Sequence, residues 1–485
     1  MSAPHSTTDV LVVGGGPAGM AAAAQAAAAG LSVTLVDERA TLGGQIYKRM
    51  GPGFEVADTR AIGRDYAVGE RLISQMGQPN IDVRLLTSVL DLDGTSAIVC
   101  EREQSTTVIQ AQRIIVAPGA YDRPVAFPGW TLPGVLTAGG AQTLIKTQRV
   151  LPGKRIAFAG SGPVALAFPA QLHHYGANIT LVCDAGPPPR PADMAAMLIA
   201  APGNLALLRD AVGYRAQLLR AQIPVRYRRI VVAAQGVGRI ELVVHAAVDD
   251  NWRVIPGSER SERCDALCLG YGFLPSVELL RLAGCAFEDD EDRGGAVVLV
   301  DDWMRTSVDS LYAAGDGTGV EGSLVAIDEG SLAGLGAARD LGAIGSHEAE
   351  RQSEPMRRRL RRRRLFRRAL RRMHRVGPGI YELADETTVI CRCEEITRAA
   401  LEPALGASAD PAAIKALTRA GMGLCQGRNC QRTIAGLVAQ RHHCALGQVR
   451  SPTARLPARP VPISAVTDES IEDYGFFTAP ATPRN

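Results

Sequence analysis

Apolar and polar positions along the first forty residues follow one another in a pattern that predicts a single supersecondary unit. Asp9–Val13 is an apolar run of strand length, glycines then interrupt it, Met20–Ala29 is an alanine-rich stretch stopped by Gly30, and Ser32–Val36 is apolar again. Strand, tight turn, helix and strand in that order predict a βαβ unit with parallel strands. The pattern returns at Arg155–Ala159 (strand), Gly160-Ser161-Gly162-Pro163 (turn), Val164–Tyr175 (helix, stopped by Gly176) and Ile179–Cys183 (strand). Ser310–Gly319 predicts a further strand ending in Ala-Ala-Gly-Asp, followed by a helix from about Leu324 to Leu341.

Beyond this the pattern changes. Twelve arginines lie between Pro355 and Val376, with Met356, Leu360, Leu365, Phe366, Leu370 and Met373 at roughly helical spacing. That predicts a basic helix with a narrow apolar stripe, ended by Gly377-Pro378-Gly379, whose charged face is solvated or docks an acidic surface or a nucleotide's phosphates. A compact region from about Tyr381 to Leu446 follows, and then a proline-rich tail. The expected organisation is residues 1–150 with 296–345, 151–295, an arginine-rich linker helix over 346–380, a small domain over 381–450 and an extended tail over 451–485.

Composition narrows the function classes. With 46% hydrophobic and 21% charged residues, the 485-residue chain reads as globular and long enough for several domains. The 53 basic and 50 acidic residues nearly cancel, so net charge points to no partner. Nucleic acid is not expected, because only Phe366 interleaves the arginines and no binding module accompanies them. The apolar stretch over 10–36 is broken by Gly14-Gly15-Gly16-Pro17, which argues against an integral membrane segment and for a cytoplasmic protein.

Gly14-x-Gly16-x-x-Gly19 stands after a strand and opens a helix at Pro17-Ala18. In such a turn the first glycine makes the bend, the second lets a pyrophosphate approach the backbone, and the third lets helix and strand pack closely. The helix N-terminus offers unpaired N–H groups to the phosphates. Asp37, with Glu38 beside it, ends the second strand, where a carboxylate can accept from an adenosine ribose. Gly43-Gly44-Gln45 fits a chain turning back past the dinucleotide.

Taken with Ala117-Pro118-Gly119 and Thr306…Tyr312-Ala313-Ala314-Gly315-Asp316, these motifs resemble the two-dinucleotide flavoprotein reductases. The resemblance implies FAD. It places Asp316 on the ribityl chain and turns the next helix, near Ala326, toward the flavin pyrimidine. The implied fold class is α/β, with two Rossmann-like dinucleotide-binding domains of the flavoprotein disulfide-reductase type and a small, mainly helical C-terminal domain.

The second turn, Gly160-x-Gly162-Pro163-x-Ala165, has alanine for the third glycine, and Asp184 ends its following strand. A proline-rich segment over 186–191 and a helical insert to about Leu219 depart from the usual NADH-binding pattern. An adenine nucleotide and a vestigial fold both remain open there, and Asp184 reads equally as a ribose acceptor or a solvent-facing strand end. Cys264 and Cys268 read as buried small side chains, not as a redox disulfide.

Cys391-Arg392-Cys393 and Cys425-x4-Cys430 form two cysteine pairs near the C-terminus. Asp410-Pro411 starts a helix that Gly421 stops, which leaves Cys425 in a loop, and Cys430 opens another helix. An iron–sulfur cluster, a zinc ion and free thiols are the three readings, and the first pair is too tight for usual zinc spacing. The set resembles the bacterioferritin-associated ferredoxin domain, which implies a [2Fe-2S] cluster on Cys391, Cys393, Cys425 and Cys430.

The order of parts, with Gly421–Cys430 and Arg459-Pro460-Val461-Pro462, is similar to the larger, α-type subunits of heteromeric dehydrogenases: the opine oxidase A, D-hydroxyproline dehydrogenase and hydrogen cyanide synthase B group. That resemblance implies a hetero-oligomer in which an FAD-containing, amine-oxidising β-type subunit passes electrons to this chain and onward to an acceptor. It leaves open an FMN at a subunit interface and a small third subunit. The competing reading is a self-contained NAD(P)H-dependent reductase that uses the second fold for its donor.

Overall fold

The first apolar run folds as the strand His5–Val13, four residues longer at its start than its apolar core. The extra residues are polar, but they pair in register with the long strand Ser105–Val116, for which a backbone ladder suffices. The computed structural model describes residues 5–51, 53–54 and 64–465. Residues 466–485 of the expected tail lie outside them.

Contacts divide the chain into two units: residues 1–121, 274–364 and 454–485, and residues 122–273 and 365–453. Residues 122–150 therefore group with the second nucleotide fold, where the sequence reading put them with the first.

In the first unit the sheet order is Ile81–Leu85, Val33–Asp37, His5–Val13, Ser105–Val116, Ser96–Glu101, Thr87–Asp93, and Leu311–Ala313 also pairs with Ser105–Val116. The first four strands are parallel, and so is Leu311–Ala313. Ser96–Glu101 and Thr87–Asp93 return as antiparallel hairpins. Helix Pro17–Ala28 covers one face, and helix Ser323–Asp340 packs on it. Glycine makes that contact possible: a Cβ on Gly330 would lie 2.0 Å from Ala18 O, and one on Gly334 2.4 Å from Ala22 O. The proline-rich tail is not loose where it is described, since Ala458 N–H donates to Leu90 O at 2.9 Å and Ala465 is buried.

In the second unit a parallel sheet runs Val225–Tyr227, Asn178–Asp184, Arg155–Gly160, Ala266–Gly270, Val135–Thr137. Helix Pro163–His174 follows the strand Arg155–Gly160, as expected. The C-terminal helices Arg398–Ala407, Pro411–Thr418 and Gln431–Arg441 share one buried core with this fold, in which Leu401, Ile414 and Leu437 join Val231, Trp252 and Tyr271. Gly377 and Gly379 lie directly on Trp252, where any Cβ would meet it at 2.5 Å. The cysteine-bearing region is thus built into the second unit.

The arginine-rich segment is one helix, Ser346–Met373. Its basic face is not simply solvated. Arg359 reaches Asp328 at 2.8 Å and Arg364 reaches Glu329 at 2.6 Å, carboxylates only 2% and 1% exposed. Leu360 and Phe366 are buried while Leu365 is exposed, so the apolar stripe holds only in part. Among the described residues no helix is long and apolar enough to cross a membrane.

Candidate cofactor sites

The residues singled out around the first turn converge. Gly14 bends at φ +108°, and a Cβ there would lie 2.2 Å from Ala117 O, so the 117–119 segment crosses directly against the turn. Gly19 carries the close packing: its Cβ would fall 1.8 Å from Gly14 O. Gly43 N–H donates to Gly15 O at 2.9 Å, and a Cβ on Gly44 would sit 2.9 Å from Gly16 Cα, which lays the 43–45 loop over the turn. A Cβ on Gly315 would come within 2.9 Å of Ala18 Cβ and 3.5 Å of Ala326 Cβ. Gly317 is in the same relation to Pro118, at 3.5 Å. Four separate stretches of sequence therefore meet around a side-chain-free cradle at a helix N-terminus, which suits a dinucleotide pyrophosphate.

Asp37 Oδ2 accepts from Gly15 N–H at 2.6 Å, and its Oδ1 accepts from Arg39 N–H at 2.8 Å. Burial pushes its carboxyl up, against those two bonds. It braces the turn, and each oxygen keeps a lone pair for a ribose hydroxyl. Glu38 instead pairs with Arg459 of the tail at 3.1 Å.

The second turn keeps the backbone but differs around it. Ser161 N–H donates to Gly270 O at 3.1 Å, Gly162 caps the helix at φ +80°, and Pro163 takes its first position. Asp184 is not a solvent-facing strand end. It is 2% exposed and accepts from Gly186 N–H at 2.9 Å, and burial pushes its carboxyl up to about 7. His374, just past the arginine helix, lies against this turn: its Cβ would be 3.6 Å from a Cβ on Gly162, and its Nδ1 3.4 Å from one on Gly186. Burial pushes His374 down to about 4, so it is a neutral imidazole. Nothing in the residue pattern signalled this, since His374 is more than two hundred residues away from the turn in sequence. Cys264 and Cys268 are buried and unpaired, each pushed by burial up to about 12.

The four C-terminal cysteines meet as two contacting pairs. Cys430 donates its thiol to Cys391, which also accepts from Gly421 N–H at 3.5 Å, and Cys393 contacts Cys425. The first pair shares a proton. Cys391, stabilised as a thiolate by its partner and by the N–H, is held down to about 5, while Cys430 keeps its proton well above the usual thiol range. Asp410 caps helix Pro411–Thr418, Arg419 ends it in a left-handed conformation, and Cys425 lies in the loop that follows. Cys430 is the N-cap of Gln431–Arg441, where the helix dipole favours anionic sulfur. A Cβ on Gly423 would lie 2.3 Å from Cys393 Cβ, so the loop presses on the other motif. Cys391 and Cys430 are buried, Cys425 is half-buried and Cys393 is exposed.

Among the described residues no three His, Cys, Asp or Glu side chains converge on a single-ion position. Two pairs suit two irons, each taking two thiolates, better than one zinc with four. Arg392 stands over Trp130 at 5.4 Å, and Trp130 Nε1–H donates to Val389 O at 2.7 Å, which anchors the first cysteine motif.

Comparison with known proteins agrees with this geometry. Residues 8–330 match the pyridine nucleotide-disulphide oxidoreductase family, and residues 389–440 match the BFD-like [2Fe-2S] binding domain. The chain is 34% identical to hydrogen cyanide synthase subunit HcnB of Pseudomonas aeruginosa, over 94% of this chain and 97% of that protein. It is 31% identical to the A subunit of opine oxidase from Rhizobium meliloti strain 1021, over 96% and 99%. Its fold resembles that of the L-proline dehydrogenase from P. horikoshii, with a TM-score of 0.66 at 22% identity, over 95% of this chain and 80% of that one.

Proposed function

The chain belongs to the pyridine nucleotide-disulphide oxidoreductase family, and on that premise we propose that it is the electron-relaying subunit of a heteromeric dehydrogenase that oxidises a carbon–nitrogen bond. It is an oxidoreductase, and its cofactors are FAD and a [2Fe-2S] cluster. A partner flavoprotein subunit removes hydride from an amino acid, an opine or a cyclic imino acid such as D-hydroxyproline. This chain takes those electrons and hands them to an acceptor. Its similarity to proteins named as subunits supports a partner, and the opine oxidase likeness supports this substrate class.

Gly14, Gly16, Pro17, Ala18 and Gly19, with Gly43, Gly44 and Gln45, hold the FAD pyrophosphate, and Asp37 fixes both the turn and the ribose. Ala117 and Gly119 wall the site, and Gly315 and Asp316 carry the ribityl chain. The N-terminus of Ser323–Asp340, near Ala326, would turn its partial positive charge toward the flavin pyrimidine. Cys391, Cys393, Cys425 and Cys430 hold the cluster. FAD exchanges two electrons and the cluster one, so together they join a two-electron donor to one-electron steps.

One observation favours a relay over a self-contained NAD(P)H reductase. In the second fold Asp184 is buried against Gly186, and His374 stands against Gly162, where a dinucleotide's phosphates would need the backbone. The test is to isolate the native assembly, count its FAD and iron, and add candidate amines without oxygen. Bleaching of this chain's flavin in the assembly, and none in the chain alone, is expected. Bleaching of the isolated chain by the same amines would overturn the assignment of substrate oxidation to a partner.

A further inference from the structure

Helix Ser323–Asp340 packs on helix Pro17–Ala28 almost backbone to backbone, in a layer of alanine and glycine. The same helix also buries charge on its other sides, where Asp328 and Glu329 are 2% and 1% exposed. A buried carboxylate persists only where partners offset its desolvation. For Glu329 the partners are specific. Its Oε2 accepts from Gly315 N–H at 2.9 Å and from the Thr318 hydroxyl at 2.8 Å, and its Oε1 accepts from Arg364 Nη2 at 2.6 Å. The same guanidinium donates through Nε to Glu321 Oε2 at 3.2 Å. The preceding residue, Asp328, accepts from Arg359 Nε at 2.9 Å and from Arg363. Three carboxylates thus balance three arginines of the basic helix.

The position of this set gives it a role. Gly315 immediately precedes Asp316, and Thr318 closes the same short turn. Arg363 also bonds Leu324 O, in the first turn of the helix that leads to Ala326. We propose that Glu329 is a positioning residue for the flavin: it fastens the Gly315–Thr318 turn to the arginine helix, and its charge, set against Arg364, tunes the flavin's reduction potential. This rests on the assignment of FAD to Gly14–Gly19 and Asp316. The carboxylate orients the turn through Gly315 N–H, and the ion pair keeps the field at the helix N-terminus close to neutral. Burial pushes Glu329 up to about 7 against the pull of Arg364, which fits a carboxylate held by a single close counter-charge.

The experiment uses the flavin-loaded full chain, equilibrated anaerobically with a redox dye at pH 8, with FAD retention measured alongside. Glu329→Gln keeps an oxygen for Gly315 N–H but leaves part of the Arg364 charge unbalanced. It should raise the reduced-to-oxidised flavin ratio by roughly tenfold. Arg364→Lys keeps the charge and loses the forked geometry, so it should leave that ratio within about twofold while weakening FAD retention. If Glu329→Gln does not fold, Glu321→Gln removes the other carboxylate on the same guanidinium and should shift the ratio in the same direction. A merely structural role would change retention in each variant and the ratio in none, and that result overturns the proposal. Wild-type protein that binds no FAD would instead defeat the underlying assignment, so the two failures are distinct.

Discussion

The turns Gly14–Gly19 and Gly160–Ala165 both leave a parallel strand and enter a helix at a proline, yet their surroundings differ. At the first, the third glycine is obligatory, and Asp37 reaches back to Gly15 N–H. At the second, Ala165 is accommodated at 1% exposure, Asp184 accepts from Gly186 N–H with the Ser161 side chain of the turn beside it, and His374 lies against Gly162. The glycine spacing secures a backbone shape in both. Whether a dinucleotide can use that shape is decided by what packs against it, and at the second turn that comes from a distant part of the chain.

The comparison breaks most severely at Gly19. Because an added Cβ would meet Gly14 O at 1.8 Å, Gly19→Ala should distort the first turn, cost about 3 kcal/mol and abolish FAD retention. Visible absorption and thermal unfolding of the purified variant check this. Retention of FAD by that variant would show that the first turn does not hold it.

A smaller effect is expected at Asp184. Its folded-state pKa of about 7 lies above the unfolded value of 3.8, so the protonated form favours folding. The stability it lends is fully present below pH 3.8 and is lost as pH rises through 7. Asp184→Asn, which cannot ionise, should therefore stabilise the protein by roughly 2 kcal/mol at pH 8 and by almost nothing near pH 4. Unfolding curves at the two pH values decide it, and equal effects would mean that Asp184 is not buried as an acid.

The mildest change sharpens the contrast from the other side. Ala165→Gly should cost no more than about 1 kcal/mol, the ordinary penalty for glycine in a helix, and leave the FAD spectrum unaltered. A gain of NAD(P)H binding in this variant would mean that the third position, and not His374, closes the second turn.

Much of this was legible in the sequence. The strands Val33–Asp37 and Asn178–Asp184 fall within a residue or two of their apolar runs, and Asp410-Pro411 marks its helix start. The cysteine spacing pointed to four thiols that do meet in pairs. The misses share a cause: each is a contact between residues far apart in the chain. Asp328 and Glu329 looked like ordinary polar positions, and only the arginines of Ser346–Met373 explain how they can be buried. A pair of acids inside a run of Ala, Gly and Leu was the available signal. For His374 there was none.

The most direct test mixes the flavin- and iron-loaded chain with NADH or NADPH under strict exclusion of oxygen and follows the flavin and cluster absorbance. On the proposed relay, in which electrons would come from a partner's flavin, neither nucleotide should bleach the chain. Rapid bleaching by either one would contradict the relay and restore the self-contained reductase.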